Sequence, residues 1–259
     1  RGRGGASMII KNSIPSLFTV GNLFLGIVAI ILAFNASPDS NHAELAAIMV
    51  IVAMLLDGLD GRVARALNVQ SDFGKELDSL SDVISFGVAP AFIMYVVAFQ
   101  DLNAAALAWI VTAIFAICGA LRLARFNVDT RAKGHFVGLP IPAAGSVLST
   151  LALFHEEIPT AVLLATTVVL SLLMISTVKY PNFKRFGIPK AALWATPVIV
   201  AVAVTLAVLY HGILSKLIFI PLVLYALYGL NGLKKNVRLL ARRRKRNRAL
   251  DDAVKSKSR

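Results

Sequence analysis

The chain has 259 residues, 57% of them hydrophobic and only 16% charged, with a mean hydropathy of +0.73 and a formal net charge of +13. Soluble domains carry about a quarter charged residues, so this balance excludes an ordinary water-soluble fold. The single cysteine excludes an internal disulfide; Cys118, in an apolar mid-span setting, reads as core packing.

In chain order, Arg1 to Ser7, ahead of Met8, read as a cloning remnant outside the fold. Eight apolar stretches follow, at about 17–34, 43–65, 79–99, 104–126, 139–156, 159–178, 191–211 and 213–233. Each is close to the roughly 20 residues that cross a bilayer as helix. Pro142, Pro159 and Pro221 blur the limits of the fifth, sixth and last. Two-residue alternation is missing, which argues against barrel strands. The expected fold class is all-α: a polytopic integral membrane helical bundle of about eight transmembrane helices. Residues 8–233 form its one domain and 234–259 a basic tail. Six spans plus a re-entrant pair would keep the same sidedness. The first span starts near Leu17 and is too long for a signal-peptide core, so no cleavable leader is expected.

Charge fixes the orientation. With eight spans, the N-terminus, the 62–78 stretch, the 122–138 and 179–190 loops and the tail share one side. They carry 26 of the 27 Lys and Arg residues, Lys216 being the exception. The positive-inside rule then places both termini in the cytoplasm of a cell-membrane protein. The run Arg242 to Arg248 suits anionic lipid, or serves only as a topology determinant in a solvated tail. No nucleic-acid partner is expected, since no reader module accompanies the run.

Against this apolar background stands Asp57-Gly58-Leu59-Asp60-Gly61-Arg62-Val63-Ala64-Arg65, then Gly74, Asp78 and Asp82. Carboxylates in or beside a bilayer persist where they pair, bind metal or do chemistry. Steps of three and four residues put Asp57, Asp60, Gly61 and Ala64 on one helical face, and Asp78 and Asp82 share a face of the next helix. Four acidic side chains beside small residues suit two hard divalent cations, Mg²⁺ or Mn²⁺, and a nucleotide phosphate. On the residues alone, Asp57 and Asp78 are candidates to bridge both ions, with Asp60 completing one and Asp82 the other. Gly61, Ala64 and Gly74 allow close backbone approach, and Arg65 offers fixed positive charge to phosphate. A divalent-cation transporter is the non-enzyme alternative, although acidic residues at mid-depth in the other spans are lacking.

The run resembles the signature of the CDP-alcohol phosphotransferase family, Asp-x-x-Asp-Gly-x-x-Ala-Arg, an eight-residue spacer, Gly, and two more Asp, each following a gap of three residues. All eight fixed positions match. The resemblance implies the same four metal ligands, a cytidine diphosphate pocket lined by Asp60, Gly61, Ala64, Arg65 and Gly74, and Asp82 as general base. Ligation and proton abstraction compete for the Asp82 oxygens, so it does one or the other. Thr19 and Asn22 match a Thr-x-x-Asn pattern similar to that of family members; they contact nucleotide phosphate or metal-bound water, or serve as interhelical hydrogen bonds. A homodimer among membrane lipids is also implied.

For the acceptor, Arg122-Leu123-Ala124-Arg125-Phe126-Asn127 and 138–145 resemble the phosphatidylserine synthase branch. That resemblance implies transfer of a phosphatidyl group from CDP-diacylglycerol to L-serine with loss of CMP; glycerol 3-phosphate is the alternative acceptor. Arg122 and Arg125, three residues apart, would fork onto the serine carboxylate or else mark the membrane interface. Asn127 and carbonyls near Pro140 and Pro142 would receive the ammonium. The proline pair and Gly145 are expected to break that span's start and free backbone groups into a cavity.

Overall fold

A computed structural model describes residues 3–37, 40–67, 71–128 and 136–180, with side chains from 17 onward except those of 60–67, Phe136, Lys179 and Tyr180. Its helices are α1 (Arg3–Phe34), α2 (His42–Leu67), α3 (Asp72–Asp82), α4 (Ala89–Met94), α5 (Ala105–Val128), α6 (Ile141–Ala152) and α7 (Thr160–Ile175). π-helical segments at Val83–Val88 and Tyr95–Phe99 join α3 and α4 into one rod, Asp72–Phe99. Among the described residues four helices are long and apolar enough to cross a membrane: Leu17–Phe34, His42–Leu59, Asp72–Phe99 and Ala105–Val128. The seventh and eighth predicted spans and the basic tail lie outside the described residues.

The first helix shows how a membrane bundle inverts soluble amphipathy. Its buried stripe is small or polar: Thr19, Asn22, Gly26, Ala29 and Ala33. Its exposed stripe is large and apolar: Leu17, Val20, Phe24, Ile27, Ile31 and Phe34. Small residues let backbones approach where lipid offers no hydrophobic drive between helices. Here α1 packs along α2 and against the α3–α4 rod. A Cβ on Gly26 would sit 2.8 Å from the Ser85 Cα, so only glycine admits this crossing. The core is filled by Phe86, Phe99, Phe115, Ile93, Met94, Leu148 and Leu173, all fully enclosed.

The start of the fifth span differs from expectation. Pro140 and Pro142 do not kink a helix; they begin one. Pro140 sits at the N-cap and Pro142 in the first turn, where a missing N–H costs nothing. Nor are the nearby backbone groups free. The Pro140 carbonyl accepts from the Ala144 N–H, Leu139 N–H donates to the Leu173 carbonyl, and Gly138 N–H donates to the Val178 carbonyl. Gly145 packs on the Phe86 backbone. A two-residue antiparallel ladder, β1 (Phe136–Val137) with β2 (Lys179–Tyr180), closes this corner. Gly138 turns it with φ +82°, and an added Cβ would strike the Met174 carbonyl. Both α6 and α7 are thus shorter than the predicted spans, at 12 and 16 residues.

Candidate active site

Three carboxylates from two helices meet. Asp57 on α2 and Asp78 and Asp82 on α3 can present oxygens that all lie within 4.8 Å of one another. Asp57 and Asp78 are half-buried, and Asp82 is buried. Asp78 and Asp82 fall in the first half of the Asp72–Phe99 rod, and Asp57 lies near the end of the His42–Leu59 span. At the rod's other end Trp109 Nε1 donates to Tyr95 Oη at 3.3 Å, an amphipathic aromatic pair of the kind that marks a membrane interface.

The local sequence explains why α3 begins where it does. Ser71 is its N-cap, extended at φ −126° and ψ 150°, and its hydroxyl accepts from the Gly74 N–H at 3.0 Å. Asp72 in the first turn suits the positive end of the helix dipole. About two and three turns further on, Asp78 and Asp82 meet Asp57 of α2.

Two serines set the height of α3 against α1. Ser81 Oγ donates to the Thr19 carbonyl at 3.1 Å, and Ser85 Oγ donates to the Asn22 carbonyl at 2.9 Å. Between them Asn22 Nδ2 donates to Asp82 Oδ1 at 3.4 Å. Asn22 is fully buried, and its Oδ1 has no hydrogen-bond partner among the described residues. Thr19 is buried beside this seam.

Like charges this close repel by on the order of 3 kcal/mol per pair at an effective dielectric of 20. A divalent cation removes that repulsion. The donors are oxygens only, which suits Mg²⁺ or Mn²⁺ rather than a soft metal. The unsatisfied Asn22 oxygen next to Asp82 fits a cation or its bound water in the same way. The residues present therefore fit a hard-metal centre.

The other predicted residues distribute as follows. Asp60, Gly61, Ala64 and Arg65 continue α2 beyond Asp57, while their side chains lie outside the described part. Gly74 is the third residue of α3, its N–H engaged by Ser71. The two arginines differ in setting. Arg122 is buried, whereas Arg125 is exposed and its guanidinium donates to the Ile175 carbonyl at 2.8 Å, tying α5 to the end of α7. Asn127 Nδ2 donates to Ser79 Oγ at 2.9 Å, one residue from Asp78. Ser81, Ser85 and Gly26 were missed in the sequence. Their signal was the small and polar stripe Thr19, Asn22, Gly26, spaced by three and four residues.

The model of the CDP-alcohol phosphatidyltransferase family matches residues 12–178. The chain belongs to this family. A CDP-diacylglycerol–serine O-phosphatidyltransferase of Helicobacter pylori is 39% identical over 225 residues, covering 83% of this chain and 89% of the relative. One of Bacillus subtilis is 38% identical over 67% of this chain and 93% of its own. An archaetidylserine synthase of Methanothermobacter thermautotrophicus is 38% identical over 68% and 72%. As a member of the CDP-alcohol phosphatidyltransferase family, the chain is a membrane enzyme, and the cation-transport alternative loses its ground.

Proposed function

We propose that the chain is a CDP-diacylglycerol–serine O-phosphatidyltransferase. The observation that carries the reading is the meeting of Asp57, Asp78 and Asp82, in a chain whose relatives bear that name along most of its length. Two divalent cations, Mg²⁺ or Mn²⁺, would neutralise the pyrophosphate and stabilise charge building on its oxygens. Asp57 and Asp78 would hold both, Asp60 would complete one and Asp82 the other. Asp60, Gly61, Ala64, Arg65 and Gly74 form the cytidine diphosphate pocket, with Thr19 on its α1 wall.

Asp82 serves in one of two ways: it completes the second ion, or it accepts the proton of the serine hydroxyl. The serine oxygen bonds to the phosphorus that carries diacylglycerol. The bond from that phosphorus to the CMP oxygen breaks, and CMP leaves with the electron pair. Arg122, buried near the end of α5, supplies charge for the serine carboxylate; a buried guanidinium is retained where it meets an anion or polar groups. The acidic cluster faces the cytoplasm under the positive-inside rule, with both termini on that side, and the protein works as a homodimer.

The test is CMP release from CDP-diacylglycerol by purified protein with Mn²⁺ or Mg²⁺, with and without L-serine. Serine-dependent CMP together with phosphatidylserine is expected. CMP release only with glycerol 3-phosphate or another alcohol would reassign the acceptor. A burst of CMP without serine, with a trapped phosphatidyl-enzyme, would overturn the single displacement.

A further inference from the structure

We infer that Asn22 is a positioning residue that aims Asp82 into the carboxylate cluster, rather than a group that grips nucleotide phosphate. The inference rests on the metal-assisted reading above and deepens it. Three observations carry it. Asn22 Nδ2 donates to Asp82 Oδ1, and Asp82 is one of the three carboxylates that meet. The Asn22 Oδ1 is fully enclosed and unmatched by any hydrogen bond among the described residues. A buried amide oxygen without a donor costs about 1–3 kcal/mol, so it is retained where a partner arrives. Thirdly, the contact does not depend on a flexible reach. Ser81 and Ser85 flank Asp82, and their hydroxyls grip the carbonyls of Thr19 and Asn22. The close approach at Gly26 removes slack from the same seam.

Asn22 therefore does two things at one position. Its N–H group holds one Asp82 oxygen and so fixes the carboxylate beside the cluster. Its carbonyl oxygen stands beside the same carboxylate as a neutral donor for a cation or cation-bound water. Residues that orient a metal ligand in this way typically change metal affinity or activity by about 10- to 100-fold when replaced.

The experiment uses the full-length protein in detergent, as wild type, Asn22→Leu and Asn22→Ser. Leucine keeps the volume without the polar groups; serine keeps a small polar side chain that cannot reach Asp82. Nucleotide-free Mn²⁺ binding is followed by electron paramagnetic resonance, with kcat and KM from CMP release and the melting midpoint as a check of folding. Both variants are expected to bind Mn²⁺ about 10- to 100-fold more weakly and to lose kcat, while KM for CDP-diacylglycerol stays within about twofold. Wild-type Mn²⁺ affinity in either folded variant would overturn the inference. So would a loss confined to KM for CDP-diacylglycerol, which would make Asn22 a phosphate contact. If the wild type itself binds no Mn²⁺ or releases no CMP, the catalytic reading fails and the inference with it.

Discussion

Asp82 is the most enclosed of the three clustered carboxylates, and its neighbours on α3 are the serines that fix the helix height. Asp82→Asn is expected to lower kcat by about 10²- to 10⁴-fold, the usual contribution of a positioned proton acceptor. The melting midpoint should hardly move, since the amide is isosteric; near-wild-type turnover would remove Asp82 from the chemistry. The two arginines should separate in the same assay. Arg122→Lys is expected to raise KM for serine at least tenfold, because a point charge replaces a fork. Arg125→Ala is expected to leave that KM within about twofold and to destabilise the fold by about 1 kcal/mol, as one exposed hydrogen bond to the Ile175 carbonyl is lost. At this scale the acidic spacing was legible because carboxylates are rare and costly in such a chain. The division of labour between Arg122 and Arg125 was not. A three-residue spacing says that two side chains share a helical face; it does not say that the end of α7 occupies the ground in front of one of them.

Between elements, the decisive contact is α1 against the α3–α4 rod. Gly26→Ala would force a Cβ into Ser85, separating Ser85 Oγ from the Asn22 carbonyl and shifting Asn22 from Asp82. The expected cost is about 1–3 kcal/mol, typical of an overpacked contact, together with weakened Mn²⁺ binding. Ser85→Ala, which removes the hydrogen bond without the clash, should cost about 0.6 kcal/mol. A Gly26→Ala protein with unchanged melting and metal affinity would contradict this seam. Six of the eight apolar stretches correspond to helices, because length and hydropathy report them directly. The limits of α6 and α7 were less legible. Hydropathy ran on through residues 153–158 and 176–178, where the backbone turns instead. The Phe136–Val137 and Lys179–Tyr180 ladder joins residues more than forty apart, a pairing that no local pattern announces.

The described residues form a bundle in which the acids cluster between α2 and α3, and a Trp109–Tyr95 pair lies further along the Asp72–Phe99 rod. Sidedness can be checked with a membrane-impermeant thiol reagent. The lone native cysteine, Cys118, is buried and gives a quiet background. Lys75→Cys is expected to react only after the cells are opened, and Glu156→Cys in intact cells; the reverse pattern would invert the orientation. The Val83–Val88 segment closes with the Ala89 N–H donating to the Ile84 carbonyl, five residues back instead of four. Each residue turns an α-helix by about 100°. Matched to a relative whose span winds as a plain α-helix, this one carries one extra residue between Asp82 and Ala89, so the relative takes a single-residue gap there. Without that gap, Ile93, Met94 and Phe99, all enclosed here, would be equated with positions that point into lipid, and roles transferred along the span would be wrong on one side of the join.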